Sequence, residues 1–225
     1  VALQVLYEDN HLLAVSKPAG LATMGVQPGT PSLLQQAKEY LARKYRKPGN
    51  VYLGTVSRLD APVTGVVLFA RTSKAARRLA EQFRGRTVEK CYWALVGQRV
   101  WPAEGRLIDW LIHHERGQKV LATGPTARGA QQAVLHYRLL GQVADVWLLE
   151  VRPETGRKHQ IRVQLARHGY PIVGDFKYGS RQPFPQGIAL HARSLAFTHP
   201  VSHQRIVLVA PLPPSWRKLG IKEQG

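Results

Sequence analysis

Apolar positions along this chain come mostly in short runs separated by Gly, Pro, Asp and Asn. Residues 3–8 (LQVLYE) and 12–15 (LLAV) flank Asp9-Asn10, and the pattern predicts two short strands around that turn. Residues 16–30 (SKPAGLATMGVQPGT) are punctuated by Gly and Pro and predict loop. Residues 32–46 place Leu33, Leu34, Ala37, Tyr40, Leu41 and Tyr45 at helical spacing behind Ser32, a suitable N-cap, and KPGN closes that helix. The run 65–70 (GVVLFA) is unbroken and β-branched, the mark of a buried strand. Residues 73–84 carry Ala76, Leu79, Ala80 and Phe83 on one face and predict a second helix, with Ser73 as its cap. Residues 87–97 alternate and predict strand. The later segments AEGRLIDWLIH, QQAVLHYRLLGQV, DVWLLEVRP, IALHARSLAFTHP and QRIVLVAPLP are mostly strand-like and spaced by turns. Among them Ile161, Val163, Leu165 and Ala166 predict a third helix over 157–168, ending at Gly169. Many strands, few helices and a mixed order predict an α+β fold on a largely antiparallel sheet. No internal repeat, low-complexity segment or clear linker interrupts residues 1–225, so a single catalytic-type domain is expected.

Charge moves the question from fold to partner. The chain has 225 residues, enough to bury a core, and a formal net charge of +18 with its basic residues spread over the whole length. An excess of that size predicts a polyanionic partner such as RNA. The lone cysteine, Cys91, excludes an intramolecular disulfide and a Cys-based zinc site. No apolar run is long enough for a transmembrane helix, and the N-terminus lacks the shape of a signal peptide, so a reducing cytoplasm is the expected location. A monomer is expected, because no coiled-coil pattern or long apolar edge is present.

Three stretches concentrate chemistry. In TVSRLDAPVTGVVLFA, Asp60 stands at the mouth of the predicted buried strand, two residues after Arg58. A loop aspartate ordinarily only turns or caps the chain. Here an arginine nearby favours the ionised carboxylate, and the core strand behind it is a rigid mount. Residues 152–179 gather Arg152, Arg157, Lys158, His159, Arg162, Arg167, His168 and Lys177. A helix start near Thr155-Gly156-Arg157 would offer free backbone N–H groups beside those cations, which suits phosphate. Arg162 lies between Ile161 and Val163, so its guanidinium needs a carboxylate, with Asp60 and Asp175 both open as partners. In VEKCYWALVGQ, alternation puts Lys90 and Tyr92 on one face. Tyr92 is then either a plain strand aromatic or a ring that stacks on a base, and spacing leaves both open. No Cys/His metal spacing, phosphate-binding loop, dinucleotide fingerprint or serine-hydrolase elbow occurs, so no metal or cofactor is expected.

Taken in order, these stretches resemble the RluA-type pseudouridine synthases. SRLDAPVTGVVLFART is similar to the family's His-Arg-Leu-Asp motif, and KCYWALVGQ to its Lys-x-Tyr-x-Ala-x-Val-x-Gly strand. ETGRKHQIRVQLARHGYPIVGDFKYG, followed by LHARSLAFTHP, resembles its most specific signature. LYEDNHLLAVSKPAGL resembles its opening strand pair and Lys-Pro-x-Gly loop, so the resemblance runs over residues 3–212. It implies isomerisation of a uridine in ribosomal or transfer RNA to pseudouridine without cofactor or metal. It implies that Asp60 acts on the ribose, as nucleophile at C1′ or base at C2′, and that Tyr92 stacks on the target base. Arg162 then matches the basic residue that pairs with the aspartate, and Arg58 an arginine that contacts RNA. Lys90, Arg157, Lys158, His159, Arg167 and Lys177 are the further RNA-binding candidates. The chain departs from the family at Ser57, where His is usual, and at Val63-Thr64, where Thr-Ser is usual. No N-terminal RNA-binding domain of the kind some relatives carry is recognisable, and the start at Val1 leaves a preceding one open. The competing expectations are a catalytically silent RNA-binding or ribosome-assembly module on the same scaffold, and a metal-dependent nuclease, for which the 14 scattered acidic residues offer no obvious cluster.

Overall fold

Alternation and helical spacing translate closely into the elements of the computed structural model, which describes residues 3–27, 29–114 and 119–222. Pro28 of the expected loop therefore lies outside the described residues. The chain divides into two compact units, residues 1–89 with 192–213 and residues 90–191 with 214–225.

The first unit is built around one strand. β1 (Gln4–Glu8) and β2 (Leu12–Lys17) form the expected antiparallel pair. α1 (Leu33–Lys44) follows, with Ser32 as N-cap accepting from Gln35 N–H. A short β3 (Gly54–Thr55), which the sequence pattern misses, pairs with the end of β4 (Thr64–Ala70). β4 lies antiparallel to β2 and every one of its residues is buried. Its alternation explains why the run has no polar face. Val67 and Phe69 meet Leu13, Val15, Leu33, Ala37 and Leu41 on the α1 side. Val66, Leu68 and Ala70 meet Leu12, Ala14, Ala75 and Leu79 on the other, where α2 (Ser73–Arg84) packs. Fully burying each Leu or Phe there contributes about 1.5–3 kcal/mol. At Gly65 the backbone has φ +118°, and an added Cβ would fall 2.2 Å from the Ala192 carbonyl oxygen, so only glycine fits.

The cap of α2 differs from expectation. Thr72, with extended φ and ψ, is the N-cap and its hydroxyl accepts from Ala75 N–H, while Ser73 is the first helical residue. Both residues are cap formers, so composition could not separate them. Thr72→Ala should cost about 1 kcal/mol of stability while Ser73→Ala stays within a few tenths, read as shifts in urea midpoint.

The second unit is an antiparallel meander. β5 (Glu89–Val96), which begins at the unit boundary, pairs with β9 (Val146–Pro153), β9 with β8 (Gln131–Val143), β8 with β6 (Glu104–His114), and β6 with β7 (Lys119–Thr123). β7 is a second strand the sequence pattern misses. α3 (Gln160–Arg167) seats Val163 against Leu111, Val120 and Ala133. β10 (Leu190–Thr198) and β11 (Arg205–Val209) form an antiparallel hairpin, whose paired residues belong to the first unit, and α4 (Pro214–Arg217) ends the described elements. The fold is α+β with antiparallel strand pairs, as the element pattern predicts.

Candidate active site

Asp60 stands, half-buried, in the turn between β3 and β4, where Val63 N–H donates to its carbonyl. The turn is fastened on both sides by the segment that follows β2. Before Asp60, the buried Thr23 hydroxyl accepts from Leu59 N–H at 3.1 Å and donates to Leu59 O at 2.9 Å. After it, Ala61 O accepts from Gly20 N–H at 2.8 Å and from Lys17 Nζ at 2.9 Å. Ser57, at the family's usual His position, accepts Leu68 N–H with its hydroxyl and so ties the approach to the turn onto β4. Arg58 is exposed. The main chain on either side of Asp60 is thus fixed by four bonds, two at Leu59 and two at Ala61.

Lys17 is the least expected member. It is 1% exposed, and its ammonium donates to Pro18 O, Leu21 O and Ala61 O at 2.7–2.9 Å. Burial pushes its pKa down to about 8, with the negative charge of Asp60 opposing that fall. Three carbonyls need three N–H donors, which only the ammonium form supplies. Above pH about 8 the neutral amine keeps two, and the turn loses a fastening. The unfolded chain holds this proton up to the ordinary lysine value, so between pH 8 and that value unfolding takes up protons. The contribution of Lys17 to stability therefore rises with pH in that window. An activity limb there reports the turn and not unfolding by this group. We expect activity to fall along a limb centred near pH 8, and Lys17→Met to be about 10- to 100-fold slower at pH 7 with that limb absent. An unchanged limb in Lys17→Met would refute this assignment.

In the second unit Tyr92 lies on β5 opposite Val151 of β9, half-buried, with Lys90 on the same face. Lys90 Nζ donates to Thr155 O at 3.2 Å. Arg162 is buried on α3 and binds Asp175 through Nε at 2.7 Å and Nη2 at 2.9 Å, the two-pronged geometry of a guanidinium on a carboxylate. Of the two carboxylates left open as partners by the sequence, Asp175 thus takes both of these bonds. Tyr178 lies beneath the guanidinium, its ring centre 5.0 Å from Arg162 Cζ. The Tyr178 hydroxyl accepts from Val120 N–H and sits 2.6 Å from His159 Nδ1.

The expected phosphate cradle at residues 155–157 needs correcting. α3 begins at Gln160, because His159 is left-handed at φ 53° and breaks the helix before it. The Arg157 N–H is taken by Gln160 Oε1 at 3.0 Å, while Gln160 Nε2 donates to Val134 O. Arg157 Nε donates to Gln132 O, Lys158 Nζ to His113 Nε2, and Arg167 pairs with Asp109 at 3.0 Å. Lys158 and Arg167 are nonetheless exposed, as is Lys177 in the 3-10 turn Phe176–Tyr178. Gln164, buried on α3, donates to Asp109, Leu107 O and Ala133 O and locks the helix to β6 and β8. Among the described residues no group of three or more His, Cys, Asp or Glu side chains gathers as a metal site requires. Lys17, Thr23, Gln160 and Tyr178 are the supporting residues the sequence reading missed. Strict alternation does carry a signal for one of them, since Leu13, Val15 and Lys17 share the face that packs on α1.

The sequence pattern of the RNA pseudouridylate synthase family matches residues 11–167. Ribosomal large subunit pseudouridine synthase D of Xanthomonas campestris is 37% identical over 97% of this chain and 69% of its own length. tRNA pseudouridine synthase C of Haemophilus ducreyi is 35% identical over 96% of this chain and 94% of its own. Among solved structures, human RNA Pseudouridylate Synthase Domain Containing 4 superposes with a TM-score of 0.81 at 25% identity, covering 99% of this chain and 95% of that one. The matched span runs through Asp60, Tyr92 and Arg162, and the chain belongs to the RNA pseudouridylate synthase family, in its RluA-type branch, as an isomerase that converts uridine in RNA to pseudouridine.

Proposed function

We propose that this protein isomerises a specific uridine in structured ribosomal or transfer RNA, with Asp60 as the residue that acts on the ribose. The observation that carries the assignment is the turn at Asp60, held rigid on both sides by Thr23, Lys17 and Gly20. In the reaction the N1–C1′ bond breaks, the freed uracil turns, C5 bonds to C1′, the C5 proton leaves, and N1 ends protonated. Asp60 serves either by attacking C1′, which holds the sugar covalently until C5 displaces the carboxylate, or by taking the C2′ proton and returning it as C5 bonds to C1′. Both routes conserve atoms and need no redox partner. Tyr92 stacks on the extruded base, and Arg162, oriented by Asp175, is the third member of the catalytic set. Arg58, Lys90, Arg157, Lys158, His159, Arg167 and Lys177 contact RNA. Extruding a base costs a few kcal/mol, which phosphate contacts offset.

Ribosomal and transfer RNA stand together because relatives of similar identity carry names of both kinds. The protein works as a monomer in the cytoplasm. No described helix is long and apolar enough to cross a membrane. The test is tritium release from C5-tritiated uridine in total, ribosomal and transfer RNA, followed by mapping of the modified position. Release without added metal or cofactor supports the reading, and no release from any of the three overturns it.

A further inference from the structure

Two faces of the protein are dense in arginine, and they are built differently. On one side of the β6–β8–β9 sheet, Arg106 and His136 share Glu154, while Arg138 and Arg152 share Glu150. Each of those basic side chains has a carboxylate partner. On α2 the pattern differs. Lys74, Arg77 and Arg84 are exposed on the helix, Arg86 is exposed just beyond it, and no described carboxylate pairs with any of the four. Lys74 and Arg77 are three residues apart and Arg84 follows two turns later, which places them in one stripe with Glu81 as its single acid. The like charges of Lys74 and Arg77, three residues apart, weaken the helix by a few tenths of a kcal/mol. Arg86 adds a second cost, because it occupies the left-handed region at φ 59°, directly after Gly85, where glycine would sit without strain.

We propose that this outer face of α2 is a second phosphate-contacting surface, with Lys74, Arg77, Arg84 and Arg86 gripping the RNA backbone apart from the residues assigned to the reaction. The proposal rests on the isomerase reading for its substrate but concerns how that substrate is held. The helix does not need these side chains for its own attachment. Ala75 and Leu79 anchor it in the core, and Thr72 caps it. Gln82 exchanges two hydrogen bonds with Thr198, and Arg78 donates to Pro200 O. The apolar residues of α2 point inward, which leaves nothing to insert among lipid chains and disfavours a membrane surface as the occupant. From Lys74 to Arg84 the stripe is about 15 Å long, enough to follow several successive phosphates. Contacts of this kind carry no base information, so they add affinity and leave the choice of uridine to the reaction site.

The experiment uses the full chain with Lys74, Arg77, Arg84 and Arg86 all changed to Gln, and a labelled RNA stem-loop several helical turns long. Affinity is measured against salt concentration, and tritium release is measured on total RNA. We expect binding at least about tenfold weaker near 0.15 M salt, and a salt slope shallower by roughly three. Release at saturating RNA should stay near wild type, with the loss confined to KM. Glu81→Gln should do the reverse, tightening binding and steepening the slope. Circular dichroism and the thermal midpoint confirm folding, and the midpoint should hold or rise as self-repulsion is removed. Unchanged affinity and slope in the folded quadruple variant would overturn the proposal. So would a loss of binding to anionic phospholipid vesicles or to an acidic polypeptide with RNA binding intact. Failure of the isomerase reading appears separately, as a wild-type protein that binds RNA and releases no tritium.

Discussion

Asp60→Asn should abolish tritium release from C5-labelled uridine, a loss of at least about 10³-fold, with the protein still folded. The amide matches the carboxylate in size but neither attacks C1′ nor takes a proton from C2′, so both routes fail together. The fold survives because the turn is fastened through the main chain of Leu59 and Ala61. The substitution leaves a second trace that a merely structural aspartate would share only if it faced the same lysine. The negative charge of Asp60 props up the pKa of Lys17, so removing it should drop that pKa further below about 8. Titration of Lys17 by NMR in the variant therefore shows whether the two groups feel each other, independently of turnover. Equal release by variant and wild type would remove Asp60 from the chemistry.

What could be read from the sequence follows from how each residue earns its place. β4 was legible because an unbroken apolar run has few alternatives, and α1 because Ser32 and its helical spacing agree. β3 and β7 were not. β3 is a two-residue strand that exists only because β4 offers an edge, and Lys119–Thr123 has too little alternation to stand out from a turn. The apolar spacing starts the third helix three residues early, because nothing in the sequence announces a left-handed His159. At the site, Asp60, Tyr92 and Arg162 stand out as residue types in suggestive settings, and Arg162 inside an apolar stretch demands a carboxylate. The fastenings were hidden. Threonine in a Gly/Pro loop looks like a solvent-facing residue, and although alternation puts Lys17 on the α1 face, only the three-dimensional path of the chain brings three carbonyls around its ammonium. The contacts that reach the turn, Thr23 to Leu59 and Lys17 to Ala61, span 36 and 44 residues, and no local pattern encodes them.

The pair Arg162–Asp175 allows stability to be separated from chemistry. Both side chains are buried and joined by two short bonds. Asp175→Asn keeps the shape but takes the charge from beside a buried guanidinium, which should cost about 3–5 kcal/mol and show as a large fall in thermal midpoint. Arg162→Lys should not rescue the geometry, because an ammonium cannot meet both carboxylate oxygens in the plane the guanidinium does. Replacing both partners, Arg162→Met with Asp175→Leu, removes the buried charges together, and most of the lost stability should return. Tritium release then decides the role of the arginine. A folded double variant without release places the Arg162 guanidinium in the reaction, oriented by Asp175. A folded double variant that works at the wild-type rate would make the pair a structural strut for α3 and the turn at Asp175, and the catalytic set would shrink to Asp60 and Tyr92.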